Sequence, residues 1–282
     1  MQCQGVRVVP STRPRRLGGW FTSYTTLACS ILLMLGLASL CDAASPLPVV
    51  YAKAHESILL IFNHGSKNSG EKDVCEPNGR STPNVIKQLR GERVGNKPIV
   101  VYELCTASVG IAGQLGSKND GRVLEIEHAI RDFQRRGFPP EHIFLAGQSA
   151  GGWASLMIAR RNMVEFNAII AFAPANSGKK AHRTPVGTQR LERLVRYLLE
   201  APYLPALVYA FDHDEYNDTA TLAFLREVRG VEFVPLDETA IDGVPCSPGK
   251  SAHVTAFKAC FTETQKRVIL EYIEKRVLTP NS

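Results

Sequence analysis

The chain has 282 residues, 44% of them hydrophobic and 21% charged, enough for one large α/β domain with a substantial core. Its formal charge of +6 points neither to nucleic acid nor to a membrane surface, because residues 1–44 hold four of the 33 basic and one of the 27 acidic residues and leave +3 behind. No internal repeat or low-complexity stretch runs through the body of the chain, which excludes repeat architectures.

The first element is a leader. Arg7, Arg13, Arg15 and Arg16 form a basic region with no acidic residue, and the uncharged, mostly apolar run "LACSILLMLGLASL" (27–40) follows. After it, "CDAASP" places Cys41 and Ala43 where small residues suit a cleavage site. This layout predicts a secretory signal peptide over 1–44 and a single domain over 45–282, exported to the periplasm or secreted. The run is short for a bilayer span of roughly 20 residues, so no stable membrane span is expected after cleavage; the competing reading is an uncleaved leader that anchors the chain. Leu40 is too large for the position before a lipoprotein cysteine. Four cysteines remain after cleavage: Cys75, Cys105, Cys246 and Cys260. An even number in an exported chain reads as two disulfides, and three pairings are open. Cys246 and Cys260 bracket His253 almost symmetrically, which favours joining them and leaves Cys75 with Cys105. No cluster of Cys and His has metal-site spacing.

From Ser57 onward, apolar runs alternate with helical patterns. The runs are "SILLIF" (57–62), "KPIVVYELC" (97–105), "HIFLAG" (142–147), "NAIIAFA" (167–173), "LPALVYAF" (204–211) and "VEFVPL" (231–236). Apolar on both faces, they predict strands of a parallel sheet covered by helices. Between them, "DGRVLEIEHAIRDFQRRG" (120–137) sets Val123, Ile126, Ile130 and Phe133 on one helical face and stops at Gly137. "GGWASLMIARR" (151–161) is a second helix and "TETQKRVILEYIEKRV" (262–277) closes the chain as a third. The expected fold is therefore α/β, a mostly parallel sheet of about six or more strands flanked by helices. Residues 66–82 are polar and loop-like, and 175–203, with a basic stretch and the pattern "TQRLERLVRYLLEA", read as an insertion or small cap.

The third run ends in Gly147-Gln148-Ser149-Ala150-Gly151, and a helix pattern follows. A G-x-S-x-G motif between strand and helix is the setting of a nucleophile on a sharp turn. A serine hydroxyl needs a base, and the base needs an orienting acid. On such a fold the order along the chain is serine, acid, histidine. His55, His64, His128 and His142 precede Ser149 and fail that order. His182 reads as a solvated loop residue, and His213 sits among the acid candidates. His253, between the last strand and the last helix, is the expected base. Asp212, Asp214, Glu215 and Asp218 follow the fifth run and supply the acid. Trp153 reads as core packing, with the lining of an acyl pocket as its alternative.

These features resemble the α/β-hydrolase superfamily, and most closely its dienelactone-hydrolase-like and small serine esterase branches, over about residues 55 to 278. The elbow, His64-Gly65 as the "HG" of an early loop, and the ordered triad carry the resemblance. In those proteins a strand of the type "PVLVIHG" precedes the acid by two residues. Laid on it, "PALVYAFDHD" puts Phe211 at the usual glycine and Asp214 at the acid, with Asp212 as runner-up. The resemblance also implies an oxyanion hole from the backbone N–H groups of Ala150 and Ser66, with His64 a structural histidine of the loop. Position 149 is serine where true dienelactone hydrolases carry cysteine. The implied activity is a serine hydrolase that cleaves small-molecule carboxylic esters through Ser149, Asp214 and His253, with no cofactor, metal or nucleic acid. The alternatives are a peptidase or acyltransferase with the same triad, or a non-catalytic binding protein of this fold, whose sign would be a lost triad member.

Overall fold

The computed structural model describes residues 53–66, 82–106, 117–161, 164–249 and 251–279; the expected leader and Cys75 lie outside them. In chain order the elements are β1 (Ile58–Asn63), α1 (Asn84–Leu89), β2 (Arg93–Val94), β3 (Lys97–Leu104), α2 (Ser117–Arg135), β4 (Ile143–Gln148), α3 (Ala150–Arg161) and β5 (Ala168–Phe172). Then come α4 (Pro185–Leu199), β6 (Ala206–Phe211), α5 (Thr219–Leu222), β7 (Val231–Leu236), β8 (Ala240–Ile241), β9 (Val244–Pro245) and α6 (Ala259–Leu278).

Seven strands form one sheet in the order β2-β3-β1-β4-β5-β6-β7. All neighbours are parallel except β2 and β3, an antiparallel pair. The six apolar runs are the six parallel strands, each within two residues of its expected bounds. β2 has only two residues, too few to show a pattern, and is joined to β3 through Gly95-Asn96, with Gly95 at φ +56°. β8 and β9 make a separate small hairpin.

Alternation along the strands divides the core. Ile58, Leu60 and Phe62 of β1, with Phe144, Ile170, Tyr209 and Phe211, face Val85 and Leu89 of α1 and Phe261, Ile269 and Ile273 of α6. Leu59 and Ile61, with Leu145, Ile169 and Val208, face α2 and α3. The stripe Val123, Ile126, Ile130 and Phe133 of α2 is fully in this second cluster, and Trp153 of α3 is 0% exposed within it. Trp153 is therefore core packing. Residues 175–203 divide in two. α4 lays Leu198 into the second cluster, with Leu191 and Leu194 against it, and serves as the crossover between β5 and β6. Its polar lead-in lies over the loop after β6: Lys180 N–H donates to Glu215 O, 2.8 Å, and Arg183 Nη2 donates to Tyr216 O, 2.7 Å. Among the described residues, no helix is long and apolar enough to cross a membrane.

β1 lies between β3 and β4, so the chain's progress across the sheet reverses there. Ligands of open α/β sheets sit beyond the carboxyl ends of the strands at such a reversal. The loops after β1 and β4 meet at this point.

Candidate active site

Ser149 is the single residue between β4 and α3, and its φ of +55° is the left-handed region that non-glycine residues seldom occupy. The turn is held from several sides. Ser149 N–H donates to Phe172 O at the end of β5, 3.0 Å, and Ser149 O accepts from Trp153 N–H, 3.0 Å, and Ala175 N–H, 3.1 Å. Two glycines permit the approach. A Cβ on Gly147 would lie 2.5 Å from the Gly151 carbonyl carbon, and one on Gly151 would strike the carbonyl of Asn63 in β1. Strand, elbow and helix thus press together with no room for side chains, which is the physical content of the G-x-S-x-G spacing.

His253 lies in the 3-10 segment Ala252–Phe257 between the β8–β9 hairpin and α6. Its Nε2 is 2.8 Å from Ser149 Oγ, and its Nδ1 is 2.8 Å from Asp214 Oδ2. An ionised carboxylate only accepts, so Nδ1 carries the proton and Nε2 is left to accept from the serine. Asp214 is 0% exposed, and its Oδ1 accepts from Tyr216 N–H at 2.7 Å. The structure brings the three sequence-designated residues into one hydrogen-bonded line. Asp212 stands elsewhere. Its N–H donates to Leu236 O, 2.9 Å, still in the β6–β7 ladder, and its carboxylate accepts from Thr219 Oγ1. His213, at φ +51°, turns the chain between the two acids and pairs with Glu238 at 2.9 Å. The Glu238 hydrogen bond and charge raise the pKa of the exposed His213. His182 is exposed in a 3-10 turn.

Of the two expected oxyanion donors, Ala150 directly follows the serine in the chain and Ser66 follows Gly65, which lies against it. Ala150 is the first residue of α3, so no carbonyl of that helix accepts its N–H. Ser66, in the loop after β1, is exposed. Next to it, Gly65 abuts Ser149 closely enough that an added Cβ would lie 3.2 Å from Ser149 Cβ. His64 is 3% exposed and structural: its Nδ1 donates to Gly65 O, 2.6 Å, and its Nε2 accepts from Thr106 N–H, 3.4 Å.

Several residues at the site carry no sequence signal of their own. Gln148 Nε2 donates to His253 O, 3.2 Å, tying the elbow to the histidine loop. The Tyr216 ring lies 4.3 Å from the His253 ring. Ser251 Oγ accepts from His253 N–H, 3.2 Å, and donates to the Glu215 carboxylate at 2.6 and 2.8 Å. Partial burial pushes the Glu215 carboxyl up, but the bonds from Ser251 and its own N–H, with the nearby His253 and Lys179 charges, outweigh it and hold the group below its usual range. Arg122 of α2 donates to the carbonyls of His64 and Gly65. In the sequence it is one cation beside an apolar stripe, which reads as a solvated face. Cys246 and Cys260 are paired across the histidine loop, with Cα atoms 5.2 Å apart. A hollow of about 540 Å³ opens behind this loop, lined by Lys179, Glu215, Glu238, Cys246, Ser251 and Lys258; Ser149 does not line it.

No family profile matches this chain. No curated protein sequence matches it either. Solved structures do. A monoacylglycerol lipase from Paleococcus ferrophilus superposes with a TM-score of 0.50 at 13% identity, covering 77% of this chain and 94% of the lipase. A serine hydrolase involved in carbazole degradation gives 0.49 at 12% identity, over 79% of this chain and 93% of its own. Est1E from Butyrivibrio proteoclasticus gives 0.48 at 13% identity, over 82% and 90%. At such identities the likeness is one of fold. The chain has an α/β-hydrolase fold.

Proposed function

We propose that this chain, folded as an α/β hydrolase, is an exported serine hydrolase that cleaves small-molecule carboxylic esters through an acyl-enzyme. The observation that carries the reading is the line Ser149 Oγ–His253–Asp214, with both contacts 2.8 Å. Ser149 Oγ attacks the ester carbonyl carbon as its proton passes to His253 Nε2, and the carbonyl electron pair moves onto oxygen. The Ala150 and Ser66 N–H groups stabilise that oxyanion. Each such donor is typically worth about 10² to 10³ in rate. Its collapse expels the alcohol, which takes the proton from His253. Water then repeats the sequence on the acyl-enzyme and frees Ser149. Asp214, buried and braced by Tyr216 N–H, holds the imidazole in the required tautomer and stabilises the imidazolium.

Export belongs to the same reading. The basic, apolar and small-residue layout of 1–44 supports it, and so does the Cys246–Cys260 pairing, which would rarely persist in a reducing cytosol. N-terminal sequencing of exported protein should begin near residue 45; a mature chain that retains Arg7 to Arg16 would remove this part of the proposal. The activity is tested by labelling with a fluorophosphonate probe and by a panel of p-nitrophenyl esters of increasing acyl length beside peptide and acetylated-sugar substrates. Labelling at Ser149 with turnover of esters is expected. A folded protein inert to both would overturn the reading.

A further inference from the structure

Arg122 is 3% exposed, a rare position for a guanidinium. Its donors go to two consecutive carbonyls of the loop after β1: Nη1 to His64 O, 2.5 Å, and Nη2 to Gly65 O, 2.9 Å. The same Gly65 oxygen accepts from His64 Nδ1–H at 2.6 Å, and that imidazole is fixed at its other nitrogen by Thr106. Burial pushes the Arg122 pKa down to about 10, an effect Glu125 opposes, so the group stays charged at neutral pH.

A trans peptide is planar, with its C=O and N–H pointing in opposite directions. The C=O of Gly65 and the N–H of Ser66 belong to one such plane. Drawing Gly65 O toward Arg122 of α2 therefore turns Ser66 N–H away from that helix, and Gly65 itself lies against Ser149. The bond to His64 O fixes the Gly65 N–H in the same way. Bonds from a cation to a carbonyl are stronger than neutral ones, and they polarise the peptide, which makes its N–H a better donor.

We infer that Arg122 is a positioning residue for ester hydrolysis: from beneath the loop it orients and polarises the peptides of residues 64–66, so that Ser66 N–H meets the developing oxyanion. The inference rests on the esterase reading above. Arg122 never touches the substrate.

The test uses Arg122→Gln, which keeps a donor but loses the charge and the fork, with kcat expressed per active site titrated by a fluorophosphonate. Expected are a fall in kcat of about 10- to 100-fold with KM within about twofold, and an equal weakening of inhibition by a trifluoromethyl ketone, whose adduct carries the oxyanion. Arg122→Lys should recover part of both. A merely structural role would lower the melting temperature and the titratable fraction while leaving kcat per site and ketone affinity alone, and that result would overturn the inference. If Arg122→Gln does not fold, Arg122→Lys is measured in its place: a loss of about three- to tenfold in kcat at constant KM is expected, and no loss would overturn the inference. A wild type inert to both fluorophosphonate and esters is a different result, since it removes the esterase reading and the inference with it.

Discussion

At the scale of single residues, two aspartates two positions apart have different surroundings because one backbone turn separates them. Asp212 still belongs to the sheet through its bond to Leu236, and its carboxylate is occupied by Thr219. His213, in the left-handed region, redirects the chain, and Asp214 drops into a fully buried position facing His253 Nδ1. Asp214→Asn should lower kcat by about 10⁴, the loss known when a triad acid no longer sets the tautomer. Asp212→Asn should keep kcat within about threefold and lower only stability, by the roughly 0.5–1.5 kcal/mol of one hydrogen bond. Steady-state kinetics of the two variants decide it, and a dead Asp212→Asn enzyme with a working Asp214→Asn enzyme would reverse the assignment. Ser149→Ala should abolish turnover and leave Tm nearly unchanged, because the positive φ and its supporting bonds involve the backbone rather than the hydroxyl. Retention of more than a few per cent of activity would remove the serine from its role.

At the scale of elements, the elbow and the histidine loop are built in opposite ways. The elbow is rigid through backbone contact. Gly151→Ala would push a Cβ into the Asn63 carbonyl of β1, where no side chain can move aside. Overpacking of this kind destabilises by about 1–3 kcal/mol or more, which lowers Tm by about 2 to 12 °C in a domain of this size. Thermal melts of Gly151→Ala would show it. The histidine loop is instead held by side chains: Gln148 at its carbonyl, and Glu215 through Ser251 at its N–H. Glu215→Gln should lower kcat about three- to tenfold, a fraction of the 10²-fold that a misplacement of about 1 Å produces. The pH dependence has a defined sign. The folded state holds Glu215 below its ordinary value of 4.5, so its ionised form strengthens the fold above that pH and the gain is lost as pH falls through the lowered value. The Tm gap between wild type and Glu215→Gln should thus be full near neutrality and close in acid. A gap that widens in acid would contradict the bond to Ser251.

At the scale of the whole molecule, what the sequence made legible is what repeats or obeys an order. The six parallel strands show because both their faces are apolar, and Val123 to Phe133 shows because its period is helical. Ser149, Asp214 and His253 could be named because a spacing and a chain order constrain them. β2 has too few residues for a period, and α4 looked like an insertion because its buried side is narrow. Arg122 and Ser251 carry no signal for another reason, and Glu215 shows only as one of four candidate acids: each bonds to backbone or to a partner far along the chain, and no local pattern distinguishes such a residue from a solvated one. The Cys246–Cys260 pair joins these scales. It links the end of the β8–β9 hairpin to the first turn of α6, so two elements that frame His253 are fixed to each other. A sequence separation of 14 closes a loop worth about 3 kcal/mol on the chain-entropy estimate. At about 2–4 °C per kcal/mol, Cys246→Ser should lower Tm by about 6 to 12 °C. It should also lower kcat, by less than about tenfold, because Gln148 and Glu215 still hold the histidine loop when the covalent tie is gone. The double variant Cys246→Ser, Glu215→Gln should then lose more than the product of the single losses, since each tie covers for the other. Peptide mapping of the non-reduced protein checks the premise, kinetics and melts of the three variants check the consequence, and a Cys246→Ser protein with unchanged Tm and kcat would show that the non-covalent ties to Gln148 and Glu215 suffice to position His253.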